Sequence, residues 1–234
     1  MNAADRLFVA LDFPSAAEAL ALAEALAPLG VGLKMGLELF SAEGPGLAAE
    51  LAKTAPLFLD LKFHDIPNTV DGAVGRVANL GAAVTNIHLS GGETMARAAV
   101  AARDAAASKM MLIGVTILTS LDDADLADLC GGNPDASKTA LRLAERARDW
   151  GLDGVVASAR EAAAIRKACG EDFLIVTPGI RPAGGAVGDQ KRVLTPREAL
   201  DAGASHLVVG RPIARAADPA AACRAILAEM EGLA

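Results

Sequence analysis

The sequence predicts an α/β protein whose eight parallel strands, each followed by helical chain, close into a (β/α)8 barrel. Three observations carry this expectation. Short β-branched runs alternate with alanine-rich helical runs from end to end. Eight such units fit within 234 residues, the size of one barrel. Charged residues recur where the strand runs end, the side of a barrel on which its catalytic loops lie.

Taken in order, the strand runs are residues 7–11, 31–35, 57–62, 83–88, 110–117, 154–157, 173–176 and 206–209. Helical patterns lie between them, among them residues 15–26, 94–107, 136–150 and 159–167. A doubly wound open sheet is the competing fold, but it usually opens with a glycine-rich turn after its first strand. Here Asp12-Phe13-Pro14-Ser15 follows strand one. No linker or low-complexity tract divides the chain, so residues 1–234 are expected to form a single catalytic domain. A Gly/Pro-rich stretch at residues 178–188 follows strand seven and is a candidate lid.

The composition narrows the function. Hydrophobic residues make up 53% of the chain but aromatics only 3%, which suits short helices packed closely on a parallel sheet. No run reaches the roughly 18–20 apolar residues that a membrane span needs. The start, Met1-Asn2-Ala3-Ala4-Asp5-Arg6, carries an acid and leads straight into a strand, unlike a signal peptide. A net charge of −7 argues against a nucleic-acid surface. Cys130, Cys169 and Cys223 lack metal-ligand spacing and fit reduced thiols, so a cytoplasmic protein is expected.

Charge inside a barrel strand needs a reason, because desolvating an unpaired charge is costly. Asp12 closes strand one, Lys34 lies at the end of strand two, and Asp60 and Lys62 end strand three, with Asp65 in the loop beyond. Asp60 and Lys62 are two apart, so simple alternation turns both toward the barrel mouth and Leu59, Leu61 and Phe63 toward the helices. By themselves they would make a buried ion pair that closes the barrel top. Lys34 and Asp65 extend the pair to an alternating array, which is more than packing needs.

Such an array has a chemical use. A lysine flanked by carboxylates keeps its charge, making it a poor Schiff-base nucleophile and a good proton donor. The fixed carboxylate faces a negative substrate group, and two like charges 4 Å apart repel by about 4 kcal/mol at an effective dielectric of 20. That repulsion falls if a substrate carboxylate leaves as neutral carbon dioxide, so decarboxylation followed by protonation from lysine is expected. Phosphate binding is indicated separately. Strand eight ends Val209-Gly210-Arg211-Pro212, and the loop after strand seven carries Pro178-Gly179-Ile180-Arg181. Barrel enzymes frequently hold phosphate at these two loops. Either arginine alone reads as a solvated charge; both at these strand ends point to phosphate.

Asp60-Leu61-Lys62-Phe63-His64-Asp65-Ile66-Pro67-Asn68-Thr69 resembles the signature of the orotidine 5′-monophosphate decarboxylases. Leu33-Lys34-Met35-Gly36, Asn86-Ile87-His88, Thr116-Ile117-Leu118-Thr119-Ser120, Pro178-Gly179-Ile180-Arg181, Gly188-Asp189-Gln190 and Val209-Gly210-Arg211-Pro212 support it through order and spacing. The resemblance implies that orotidine 5′-monophosphate is converted to uridine 5′-monophosphate and carbon dioxide in pyrimidine biosynthesis. No metal or organic cofactor is implied. It makes Lys62 the proton donor to pyrimidine C6, sets Asp60 against the departing carboxylate, and has Lys34 orient Asp60 and touch the ribose. It gives Asp12 the ribose, Thr119 the pyrimidine amide edge, and Gln190 a bridge between phosphate and base. Arg211, the Gly210 amide and Arg181 hold the phosphate. It implies a homodimer across which Asp65 and Thr69 enter the partner's site. His64 is expected at an interface or behind the site, His88 as structural, and Asn68 as a helix cap.

Two other functions fit parts of the pattern. A magnesium-dependent sugar-phosphate decarboxylase or aldolase on the same barrel needs acidic ligands at neighbouring strand ends, where this chain has Lys34 and Asn86–His88. A noncatalytic nucleotide-binding barrel would have no reason to keep the charged array.

Overall fold

The computed structural model describes residues 2–182 and 194–233. Its eight strands are β1 (Leu7–Ala10), β2 (Gly32–Gly36), β3 (Leu57–Phe63), β4 (Val84–His88), β5 (Met111–Val115), β6 (Gly154–Val156), β7 (Leu174–Thr177) and β8 (His206–Val209). They pair in sequence order, all parallel, and β1 closes on β8. The expected barrel is therefore observed, with strand edges moved by a residue or two; β5 is the most shortened, covering residues 111–115 of the expected 110–117.

The helices among the described residues are α1 (Ala16–Leu26), α2 (Leu37–Thr54), α3 (Pro67–Ala78), α4 (Gly92–Ala105), α5 (Asp123–Cys130), α6 (Ala136–Asp149), α7 (Ala159–Cys169), α8 (Pro196–Asp201), α9 (Arg211–Ala214) and α10 (Pro219–Glu231). Local chemistry sets their ends. Asp122 and Thr195 each open a helix with a reciprocal capping box, to Asp125 and Glu198. Within α2, Gly44 adopts φ +71 ahead of Pro45 and kinks the helix, a conformation glycine takes at little steric cost. The cap expected at Asn68 does not form: α3 begins at Pro67, whose fixed φ suits a first helical position, and Ile66 precedes it.

Two cores result from strand alternation. Outward residues such as Val9, Leu33, Leu59 and Ile175 pack against the helices. Inward residues Phe8, Ala10, Phe58, Val84, Ile113, Val176 and Val208 fill the barrel. Phe8 and Phe58 meet edge-on at 5.7 Å, and His206 stacks on Phe8 at 5.7 Å. Gly32 makes room for them, since a Cβ there would lie 2.5 Å from the Phe8 ring. The barrel interior is thus plugged below, and the charged groups of Lys34, Asp60 and Lys62 gather toward the C-terminal ends of the strands. No helix among the described residues is long and apolar enough to cross a membrane.

Candidate active site

The charged residues form one chain of contacts across the barrel mouth. Lys34 Nζ lies 3.3 Å from Asp12 Oδ1 and 3.5 Å from Asp60 Oδ2, and Lys62 Nζ lies 2.6 Å from Asp60 Oδ1. Lys34 and Asp60 are the protected members, their side chains 10% and 13% exposed, whereas Asp12 is 60% exposed. Burial would raise the Asp60 carboxyl, but the charges of Lys34 and Lys62 and hydrogen bonds from Lys62 and Asn86 outweigh it. The group is held below the ordinary carboxylate range.

The way Asp60 and Lys62 come to face inward differs from simple alternation. Leu59 pairs with Thr85 and Phe63 with Ile87, so four steps along β3 oppose two along β4. Asp60, Leu61 and Lys62 lie in this bulge, and Lys62 takes a left-handed φ of +50. A bulge re-aims side chains and leaves backbone groups without a ladder partner. The Lys62 N–H finds one in the Oδ1 of Asn86 at 2.7 Å, while Asn86 Nδ2 donates to Asp60 Oδ1 at 2.7 Å.

Lys34 is not at the end of its strand. It is the middle residue of β2, level with Phe58, and its long stem carries the ammonium up to Asp60. Likewise β1 ends at Ala10, and Asp12 stands in the loop beyond.

A cavity of about 470 Å³ opens beside the array, lined by Asp12, Lys34, Asp60, Arg181, Gly210 and Arg211 among others. The structure thus unites the carboxylate array with the phosphate-binding candidates. Arg215 lines the same cavity, with its guanidinium 5.8 Å over the Phe13 ring. A salt-bridge pattern does not reveal Arg215; the cue available in the sequence was its place four residues after Arg211, on the same turn-sized spacing.

A model of the orotidine 5′-phosphate decarboxylase / HUMPS family matches residues 5–226. The chain belongs to that family. The orotidine 5′-phosphate decarboxylase of Moorella thermoacetica is 50% identical over 99% of this chain and 94% of its own length. That of Alkalilimnicola ehrlichii is 53% identical over 93% of this chain and 92% of its own. The crystal structure of orotidine 5′-phosphate decarboxylase from Lactobacillus acidophilus superposes with a TM-score of 0.86 at 37% identity, covering 97% of this chain and 99% of that one.

Other residues singled out for their likeness to the decarboxylase family lie apart from this cavity. Thr119 is exposed in the loop after β5, where it lines a separate small void with Ser158 and Glu161. Asp65 and Thr69 are exposed in the β3–α3 loop and the first turn of α3. Asp65 accepts from the Ile66 N–H and forms no ion pair with Lys62 among the described residues. Gln190 and most of the expected lid, residues 183–188, lie outside the described residues.

His64 and His88 meet at 5.4 Å between ring centroids, and Ser90 Oγ lies 3.5 Å from His64 Nε2. Burial, then His64 and Lys62, lower the His88 imidazole below its ordinary value, with Asp60 opposing. Among the described residues no cluster of three or more His, Cys, Asp or Glu side chains is arranged to hold a metal ion.

Proposed function

We propose that this chain decarboxylates orotidine 5′-monophosphate to uridine 5′-monophosphate and carbon dioxide in pyrimidine biosynthesis, using its own side chains and no cofactor. The observation that carries this reading is Asp60, a largely buried carboxylate gripped by Lys34, Lys62 and Asn86 on the wall of a cavity that also holds Arg181 and Arg211. The relatives that bear the decarboxylase name share about half of their residues with it over nearly the whole chain.

In the proposed reaction the phosphate sits with Arg181, Arg211 and the Gly210 amide, and Asp12 and Lys34 meet the ribose. The substrate carboxylate faces Asp60. As the C6–carboxylate bond breaks, its electron pair stays on C6 and the carboxylate leaves as neutral carbon dioxide, relieving the repulsion from Asp60. The Lys62 ammonium donates its proton to C6 and regains one from solvent. Fixed charge suits this barrier, because the carbanion is poorly delocalised and its developing charge lies beside an ammonium already in place. Phosphate binding, remote from C6, supplies energy for positioning, and Gln190 bridges phosphate and base.

Residues 1–234 act as one catalytic domain in a cytoplasmic homodimer, in which Asp65 and Thr69 enter the partner's site and Thr119 meets the pyrimidine. The test is an absorbance assay on orotidine 5′-monophosphate in excess EDTA. Wild-type turnover that survives chelation and disappears in Lys62→Ala is expected. Activity abolished by chelation and restored by magnesium would instead support the sugar-phosphate barrel enzymes.

A further inference from the structure

In the sequence Asn86 is one residue of the Asn86-Ile87-His88 motif, with no role of its own. In the barrel it is fully buried on β4, and its amide faces two groups of opposite need. The Lys62 N–H can only donate, and the Asp60 carboxylate can only accept. Asn86 Oδ1 takes the first at 2.7 Å and Nδ2 supplies the second at 2.7 Å. The two partners fix the amide's orientation, because the flipped amide would oppose donor to donor and acceptor to acceptor. A leucine of similar size would leave both groups unpaired, and an aspartate would place a second carboxylate against Asp60.

The Lys62 N–H needs such a partner because the β3 bulge has removed it from the ladder to β4. Lys62 is also held at φ +50, which a residue with a long side chain rarely adopts unless its surroundings impose it. One amide therefore ties the left-handed backbone that aims the Lys62 ammonium to the carboxylate that ammonium meets at 2.6 Å.

We propose that Asn86 is a positioning residue, which holds the Lys62 ammonium and the Asp60 carboxylate in their reactive arrangement by bracing both from the neighbouring strand. It touches no substrate atom and acts through the other two. The inference rests on the decarboxylase reading, in which Asp60 and Lys62 perform the chemistry. Its consequence is a loss in the chemical step with product binding intact, because the phosphate and ribose contacts lie on other strands.

The experiment compares wild type, Asn86→Ala, Asp60→Asn and the double variant for turnover of orotidine 5′-monophosphate and for binding of uridine 5′-monophosphate. Asn86→Ala is expected to lower kcat roughly 100-fold, the scale of an ångström-sized misplacement, with product affinity little changed and the melting temperature lowered by a few degrees because two buried groups lose a partner. In the Asp60→Asn background the same change is expected to cost less than about tenfold, because residues acting as a unit are not additive. Should Asn86→Ala not fold, Asn86→Ser, which keeps a polar group at the bulge, takes its place in the same cycle. An undiminished kcat, a loss matched by equal loss of product binding, or an equal loss in both backgrounds would overturn the role of Asn86. Absence of wild-type turnover would instead overturn the decarboxylase reading itself.

Discussion

Lys34 reaches Asp60 from two residues lower in the barrel. Gly36, not Lys34, stands opposite Asp60 in the β2–β3 register, yet the ammonium lies 3.5 Å from Asp60 Oδ2. The missing side chain of Gly36 leaves the path open, since a Cβ there would be 3.0 Å from Lys34 Nζ. Gly36→Ala is therefore expected to shift the ammonium by a few tenths of an ångström against its two carboxylates and lower kcat/KM by roughly tenfold. The backbone there has φ −90, so the melting temperature should change little. Steady-state kinetics beside a thermal melt separate the two effects.

Lys34→Ala is the harsher change. It leaves Asp60 with one ammonium rather than two and removes Asp12's partner. A loss of about 1–3 kcal/mol of stability at pH 7 is expected, less than for a fully orphaned buried charge because Lys62 and Asn86 remain. The sign of the pH dependence follows from Asp60, whose carboxyl is held below the ordinary value. Its stabilising contribution is present above the unfolded carboxylate range, near pH 4, and is lost as pH falls through the lowered folded value. Urea titrations of Lys34→Ala should show a smaller loss over that acidic window than wild type shows.

A second acid-sensitive group lies at the other end of the barrel. His206 is 6% exposed, stacks on Phe8, and has no hydrogen-bond partner at Nδ1 among the described residues. Burial, then the charge of Arg6, push its imidazole down to about 4, with Asp5 opposing. The unfolded chain therefore takes up this proton first, so stability falls as pH drops from about 6.5 toward 4. A loss of about 1–3 kcal/mol between pH 7 and pH 4 is expected from this group. His206→Leu should flatten that part of the profile, and denaturant midpoints at pH 7, 5.5 and 4 would reveal it. Parallel decline in both proteins would exonerate His206.

Arg211 and Arg215 share the cavity but differ in setting. Arg211 opens α9 directly after Gly210, whereas Arg215 ends that turn and lies over Phe13. Arg211→Ala is expected to cut kcat/KM by roughly 100-fold or more, although it sits among the phosphate candidates rather than the Asp60–Lys62 pair. Arg215→Ala should cost about tenfold, and chiefly in KM, because it stands one turn beyond Gly210 with its guanidinium over the Phe13 ring. Equal kinetics for wild type and Arg211→Ala would refute the phosphate assignment.

Asp65 offers the clearest test of the proposed homodimer. Within one chain it serves as a turn residue, accepting from the Ile66 N–H. If its carboxylate belongs to the partner's site, Lys62→Ala and Asp65→Asn homodimers are both inactive. Mixed dimers then recover one intact site, so an equal, randomly reassorted mixture should regain about a quarter of wild-type activity. No recovery in demonstrably mixed dimers would place Asp65 outside the shared site.

The sequence by itself determined the barrel, the inward pair on strand three and the arginines after strands seven and eight. Each is written in local spacing: alternation of apolar runs, a two-residue interval on a strand, and charges next to strand ends. Tertiary structure decided how those pieces meet. Lys34 was legible as a strand-two lysine, but its reach depends on the stagger between β2 and β3 and on a glycine beside its ammonium. Lys62 was legible as inward, but a bulge against β4 turns it, and no period-two reading contains a left-handed residue. Asn86 is legible only as part of a motif, and Arg215 not at all, because an amide and an arginine gain meaning only from what lies across the strand or above a ring. Register, bulges and side-chain reach are properties of pairs of strands, and a single chain's periodicity carries no record of them.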